Sequence, residues 1–184
     1  MAEFKVPTET VMKEFVMLSG LPRSGSTVLT SMLNQHPMIH ASTTSPLADF
    51  LINTIEQWPV LARQVANKPE RQLENIIEGI IDGTYKHVNK QVVVDKNRLW
   101  PRISGDINKT FQKKPKIICT VRQIPEILSS YILLFDRNPN QQNFVDEELR
   151  HINIPINTKT RCRLLWEKYI NHPYKSLMMG HNSK

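Results

Sequence analysis

An α/β fold, a parallel β-sheet covered by helices on both faces, is predicted for this 184-residue chain by three features. Three short runs, Phe15–Leu18, Val92–Val94 and Lys116–Val121, are almost wholly apolar; stretches of helical period lie between them; and a glycine-bearing turn follows the first run. Strands buried on both faces need side chains that are apolar at successive positions, whereas a half-exposed strand alternates. Strand and helix in alternation then imply parallel pairing.

The elements follow in order. Phe15-Val16-Met17-Leu18 ends in Ser19-Gly20 and reads as a buried strand feeding a loop. From Ser26 the pattern turns helical, with Val28, Leu29, Met32 and Leu33 on one face and His36-Pro37 as its stop. Residues 38 to 68 are less regular. A polar loop over Ala41–Pro46 leads to a helix expected from Leu47 to Gln57, closed by Trp58-Pro59. Another helix is expected from Pro69, because Leu73, Ile76, Ile77, Ile80 and Ile81 have the spacing of a core-facing stripe. The second strand ends at Asp95-Lys96 and the third at Arg122. A helix with Pro125 in its first turn runs to about Phe135. Asn138–Asn157, polar and containing Pro139 and Pro155, is expected to form a long loop or lid, and the last helix spans Thr158–Asn171. One domain over residues 1–184 follows, with an N-terminal extension over 1–14, the lid over 138–157 and a tail over 173–184.

With 24 Lys and Arg against 17 Asp and Glu, the formal charge of +7 favours an anionic partner. The densest cluster, Lys113, Lys114 and Lys116, stands just before a strand and reads as a solvated helix end. No aromatic-basic interleaving accompanies the charge, so no nucleic-acid partner is expected. Cys119 and Cys162 have neither metal-ligand spacing nor a disulfide framework, and Cys119 is expected as a small buried hydrophobe. Met1–Glu14 contains no apolar stretch, so no signal peptide or membrane anchor is expected; a cytoplasmic location without a membrane partner follows.

Gly20-Leu21-Pro22-Arg23-Ser24-Gly25-Ser26-Thr27 fits the phosphate-loop spacing G-x-x-x-x-G-K-S/T except at the lysine, which is Ser26. Glycines there let backbone N–H groups turn toward phosphate oxygens, and the next helix presents its positive end. Arg23 adds a two-pronged cation, and Ser24, Ser26 and Thr27 add hydroxyls. The fold expected around such a loop is the P-loop NTPase-like parallel sheet. In an NTPase the missing lysine reaches the β- and γ-phosphates. Its absence, with a cation three residues earlier, points to a different phosphate ester.

Leu21-Pro22-Arg23-Ser24-Gly25-Ser26-Thr27, followed by Leu33, His36 and Pro37, resembles the 5′-phosphosulfate loop of sulfotransferases that use 3′-phosphoadenosine 5′-phosphosulfate (PAPS). The likeness is strongest to the tyrosylprotein and bacterial branches. Val121–Tyr131 is similar to that family's 3′-phosphate segment, with Arg122 and Ser130 at the family's spacing. The resemblance implies that Pro22, Arg23, Ser24, Gly25, Ser26, Thr27, Arg122 and Ser130 bind the donor, without a metal, and that Lys96 contacts the transferring sulfuryl group. It implies a small-molecule, glycan or peptide acceptor that receives sulfuryl on a hydroxyl or amine. The family's tyrosylprotein branch draws its base from a Glu-containing segment after His-Pro. Here that place reads Ser42-Thr43-Thr44-Ser45, and of Asp49, Glu56 and His40 we take Asp49 as the base. The family also continues past its last helix into another strand and helix, so the chain reads as a C-terminally shortened member.

Two rivals stay open at this point. Val92-Val93-Val94-Asp95 also resembles the strand and aspartate with which a P-loop kinase or NTPase holds Mg²⁺. A non-catalytic nucleotide-binding protein could keep the cradle and lack the base.

Overall fold

The computed structural model of the chain describes residues 13–64, 70–111 and 116–171. The described parts of Met1–Ser19 and Thr27–Cys119 form one compact unit, and those of Gly20–Ser26 and Thr120–Lys184 form a second. The fold is α/β: among the described residues four parallel strands, β1 (Glu14–Gly20), β2 (Ile39–Ala41), β3 (Val92–Lys96) and β4 (Lys116–Thr120), lie in the order β2-β3-β1-β4. Phe15 stands opposite Val93, Leu18 opposite Lys96, and Ile39 opposite Val92.

In the first unit, strand alternation divides the sheet into two faces. Phe15 and Met17 of β1 and Val93 of β3 pack under α2 (Leu47–Leu61), α3 (Gln72–Thr84) and α4 (Trp100–Thr110). Val16, Leu18 and Val94 pack instead with Leu29 and Leu33 of α1 (Ser26–Leu33). The expected stripe on α3 meets the first face: Ile77 and Ile81 are buried there, and Leu73 and Ile80 pack against it. Trp100 is wholly buried, worth on the order of 3 kcal/mol in apolar transfer alone.

Several expectations change. The helix from Leu47 runs past Trp58-Pro59 to Leu61 and on into a 3₁₀ turn, Ala62–Gln64, because Pro59 sits in the last turn, where little helix remains for its missing N–H to disrupt. The irregular stretch after Pro37 contains β2, whose three residues are too few to show a period. Pairing with β3 makes it a strand, and the Asn34 amide clamps both backbone groups of Ala41 at 2.6 and 2.7 Å. Helix α4 is not evident from the sequence, since Gly105 weakens its propensity and Pro101 reads as a break, although in the structure it falls in the first turn, where proline is tolerated. Strand β4 is an edge strand whose apolar residues are not covered on both sides: Ile117 is 44% and Ile118 38% exposed, and Cys119 is exposed rather than buried. Lys113, Lys114, Pro69, most of the N-terminal extension and the 173–184 tail lie outside the described residues.

The second unit is built on α5 (Ile124–Arg137), α6 (Phe144–His151) and α7 (Thr158–Leu164), the last continuing as a π-helical turn, Leu165–Ile170. The expected loop over 138–157 therefore contains a helix. Its start is fixed locally: Asn143 caps the Val145 N–H and Asp146 accepts from the Asn143 N–H at 3.1 Å, a reciprocal capping box. Ile127, Tyr131 and Phe135 of α5 pack against Val145 and Leu149 of α6 and Leu164 of α7. Inside this core Arg161 grips Asp146 with two bonds, 2.7 and 2.8 Å, while its guanidinium lies 5.3 Å over the Phe135 ring. The side chains are only 6% and 2% exposed. No helix among the described residues is long and apolar enough to cross a membrane.

The hydrogen bonds from Arg161 hold the Asp146 carboxyl below the usual carboxylate range. A carboxylate with a lowered folded-state pKa contributes stability above its unfolded pKa of about 4 and loses it as pH falls through the lowered value. Asp146→Ala strands a buried guanidinium, so urea denaturation at neutral pH should show a loss of about 3–5 kcal/mol. The gap between parent and variant should narrow as the buffer is acidified below about pH 4; an unchanged gap would mean the pair carries no charge-dependent stability.

Candidate functional site

In the second unit, Leu21-Pro22-Arg23-Ser24 closes a turn in which the Ser24 N–H donates to the Leu21 carbonyl at 3.1 Å. Proline stands second and Arg23, with φ 66°, stands third, the arrangement of a type II turn. Glycine or asparagine is usual at that third position, since a left-handed backbone costs an arginine about 1–2 kcal/mol. Arg122 Nη1 holds the Arg23 carbonyl at 3.1 Å, Ser24 Oγ and Thr120 Oγ1 share a hydrogen bond of 2.6 Å, and Leu21 packs on the α5–α7 core. Gly20, at φ 151°, lies so close to Thr120 that a Cβ would stand 2.7 Å from the Thr120 carbonyl oxygen and nearer still to its hydroxyl. Gly25, at φ 98°, has open space where a side chain would go. Ser26 is half-buried and begins α1, so the turn runs directly into a helix N-terminus.

The segment expected to take a 3′-phosphate belongs to the same unit. Arg122 lies two residues past β4 and is pinned through Nε to Glu126, 2.9 Å away on the first turn of α5. Ser130 stands later on α5, where its hydroxyl receives the Arg23 Nε–H at 3.0 Å. Arg23, Ser24, Arg122 and Ser130, which come from two motifs about a hundred residues apart, are thus brought together. Pro22 serves as the corner of the turn.

In the first unit, Lys96 Nζ donates to Thr27 Oγ1 at 2.8 Å, so it reaches the last residue of the loop motif. Burial, and next the positive charge of Arg98, lower the Lys96 pKa. Its backbone is held from both sides: the N–H donates to Ser42 Oγ at 2.8 Å and the carbonyl accepts from Ser45 N–H at 3.1 Å. Asn97 then donates to Asp49 Oδ2 and to the Ser45 carbonyl, each at 2.6 Å. Asp49 is exposed on the first turn of α2. The other carboxylate considered, Glu56, is ion-paired with Arg102. His40 faces the Tyr85 ring at 5.8 Å, and burial lowers its pKa.

Asp95 is not presented to a ligand. It is fully buried on the α2–α4 face, where Trp100 Nε1 donates to Oδ1 at 2.8 Å and the Tyr85 hydroxyl donates to Oδ2. Burial raises its pKa, and burial likewise pushes the Tyr85 phenol up. Thr120, Ser42 and Asn97 are parts of the arrangement that sequence reasoning did not assign. Thr120 carries a faint signal, a hydroxyl two residues before Arg122, whereas Ser42 and Asn97 act through partners 54 and 48 positions away.

Gly20→Ala should therefore lower stability by about 1–3 kcal/mol in denaturant titrations, the range for forced overpacking, because the obstacle is Thr120 backbone as well as side chain. Arg23→Gly should melt within about 2 °C of the parent, since relief of left-handed strain offsets the added freedom of the unfolded glycine. If Arg23→Gly melts far lower, the turn is not strained at that residue.

The chain matches the sulfotransferase family over residues 16–170, a span that runs from β1 through the Gly20–Thr27 turn and Arg122 to the π-helical turn. No curated protein matches it. With the Gly20–Thr27 turn, Arg122 and Lys96 at the end of β3 all falling inside that span, the chain belongs to the sulfotransferase family.

Proposed function

We propose that the protein transfers a sulfuryl group from PAPS to a hydroxyl or amine acceptor, releasing 3′,5′-adenosine bisphosphate. The observation that carries this reading is the pair of hydrogen bonds linking the two anchors, Arg23 Nε to Ser130 and Arg122 Nη1 to the Arg23 carbonyl. A donor with phosphates on both sides of one ribose asks for two cationic seats close together, and a single-phosphate ligand does not. The glycines suit the same donor: Gly25 has space beside it for phosphate oxygens, and Gly20 lets the turn press against β4.

In this reading Arg23, Ser24, Gly25 and Ser26 take the 5′-phosphosulfate, and Arg122 and Ser130 take the 3′-phosphate. Thr27 adds a hydroxyl to the donor site, and Lys96 contacts the transferring sulfuryl group and the bridging oxygen, as the family resemblance implies for that lysine. The acceptor oxygen or nitrogen attacks sulfur in line, the bond from sulfur to the bridging oxygen breaks, and the acceptor proton passes to Asp49. Negative charge grows on the departing phosphate in such a loose transition state, and fixed cations stabilise it without reorganising. Asn97 supports the choice of Asp49, since it fixes that carboxylate from the residue next to Lys96. The kinase or NTPase reading loses its metal ligand, because both oxygens of Asp95 are taken by Tyr85 and Trp100 in the core. A small-molecule, glycan or peptide acceptor and a cytoplasmic setting remain part of the proposal.

Thermal denaturation tests the donor directly. Metal-free 3′,5′-adenosine bisphosphate at a hundred times its Kd should stabilise the protein by about 2.7 kcal/mol, whereas ATP with Mg²⁺ should do so far less. With labelled PAPS and a panel of phenols, sugars, lipids and peptides, Lys96→Ala should lower kcat by about 10²–10³-fold on whichever acceptor turns over. Stabilisation by ATP and Mg²⁺ alone would favour the kinase reading, and bisphosphate binding without turnover on any acceptor would favour the non-catalytic one.

A further inference from the structure

The hydrogen bonds around Arg122 do more than present a cation. Its guanidinium is held at two points, Nε on the Glu126 carboxylate and Nη1 on the carbonyl of Arg23, and among the described residues no partner takes Nη2. Arg23 is the residue with the left-handed backbone, a conformation that persists only where its surroundings enforce it. Among the described residues Arg122 is the only side chain that bonds that residue's backbone, and it comes from a position 99 residues away. A second link runs in the opposite direction, from the Arg23 side chain to Ser130 on the 3′ side. Each seat therefore supplies part of the other's geometry.

We propose that Arg122 is a positioning residue for the 5′-phosphosulfate loop as well as a ligand of the 3′-phosphate, so that the two phosphate seats are coupled through one guanidinium. The inference rests on the donor assignment above. A 3′-phosphate bound at Nη2 holds the guanidinium in the place where Nη1 supports the Arg23 carbonyl. By linkage, an ordered 5′ loop returns the same advantage to the 3′ seat. The coupling discriminates against nucleotides with one phosphate, which lose one contact and also part of the support for the other.

Isothermal titration calorimetry on the full chain, with 5′-AMP and with 3′,5′-adenosine bisphosphate as separate ligands, tests this. Arg122→Ala and Arg122→Lys should both weaken 5′-AMP about fivefold, the equivalent of about one hydrogen bond, although that ligand has no 3′-phosphate. The bisphosphate should weaken about a hundredfold in Arg122→Ala. The lysine variant keeps the charge on a slightly shorter chain, so it reports the loss of the planar two-point grip even where Arg122→Ala folds poorly, and circular dichroism melts of the free variants identify general damage. Unchanged 5′-AMP affinity in a folded variant, alongside a loss for the bisphosphate, makes Arg122 a plain 3′ anchor and overturns the coupling. Failure of the parent protein to bind either nucleotide overturns the donor assignment itself, and the coupling with it.

Discussion

Arg23 adopts a backbone conformation that an arginine does not take unforced, and the geometry of the second unit's loop depends on what enforces it. Proline before it sets the corner, the Ser24 amide closes the turn, and Arg122 holds the carbonyl from outside. Glycine at position 23 would relieve the strain and remove the cation. The sequence thus carries a locally unfavourable residue whose side chain bonds Ser130, and strained backbone of this kind persists where the surroundings over-determine it. Gly20 serves the same end more simply, since any side chain there would collide with Thr120.

In the first unit the decisive device is the alternation of β3. Asp95 and Lys96 are neighbours in sequence, yet the strand turns them to opposite faces of the sheet. Asp95 goes to the face covered by α2–α4, where Tyr85 and Trp100 satisfy it; a buried carboxylate without such donors would be strongly destabilising. Lys96 goes to the α1 face and reaches Thr27. The two neighbours are thus separated in role: Asp95 is held in the core, and Lys96 bonds a hydroxyl on the α1 face. Around them Ser42, Ser45 and Asn97 tie the segment after β2 to the end of β3 with five hydrogen bonds, all 3.1 Å or shorter.

The second unit fixes the helix that carries Ser130 by different means. Apolar packing of α5 against α6 and α7 supplies the bulk of its burial, and the Asp146–Arg161 pair gives it a definite arrangement. Asp146 is satisfied three times over, by two guanidinium bonds and by the Asn143 amide, so the pair avoids the penalty of an incompletely bonded buried charge. One carboxylate both starts α6 and joins it to α7.

What the sequence determined by itself was the part governed by neighbours along the chain. An apolar run, two glycines and a proline specify β1, the turn and the start of α1; Pro125 marks the start of α5; the isoleucine stripe specifies α3. Tertiary structure alone decided that three residues after Pro37 form a strand, that β4 stands uncovered at the edge with Cys119 exposed, and that Asp95 is withdrawn into the core. It also decided the contacts from Asn97 to Asp49 and from Arg122 to Arg23. A residue's own type and near neighbours fix its backbone preferences, whereas burial comes from the packing of other elements, and the partners of Asn97 and Arg122 lie 48 and 99 positions away, where only folding brings them within reach.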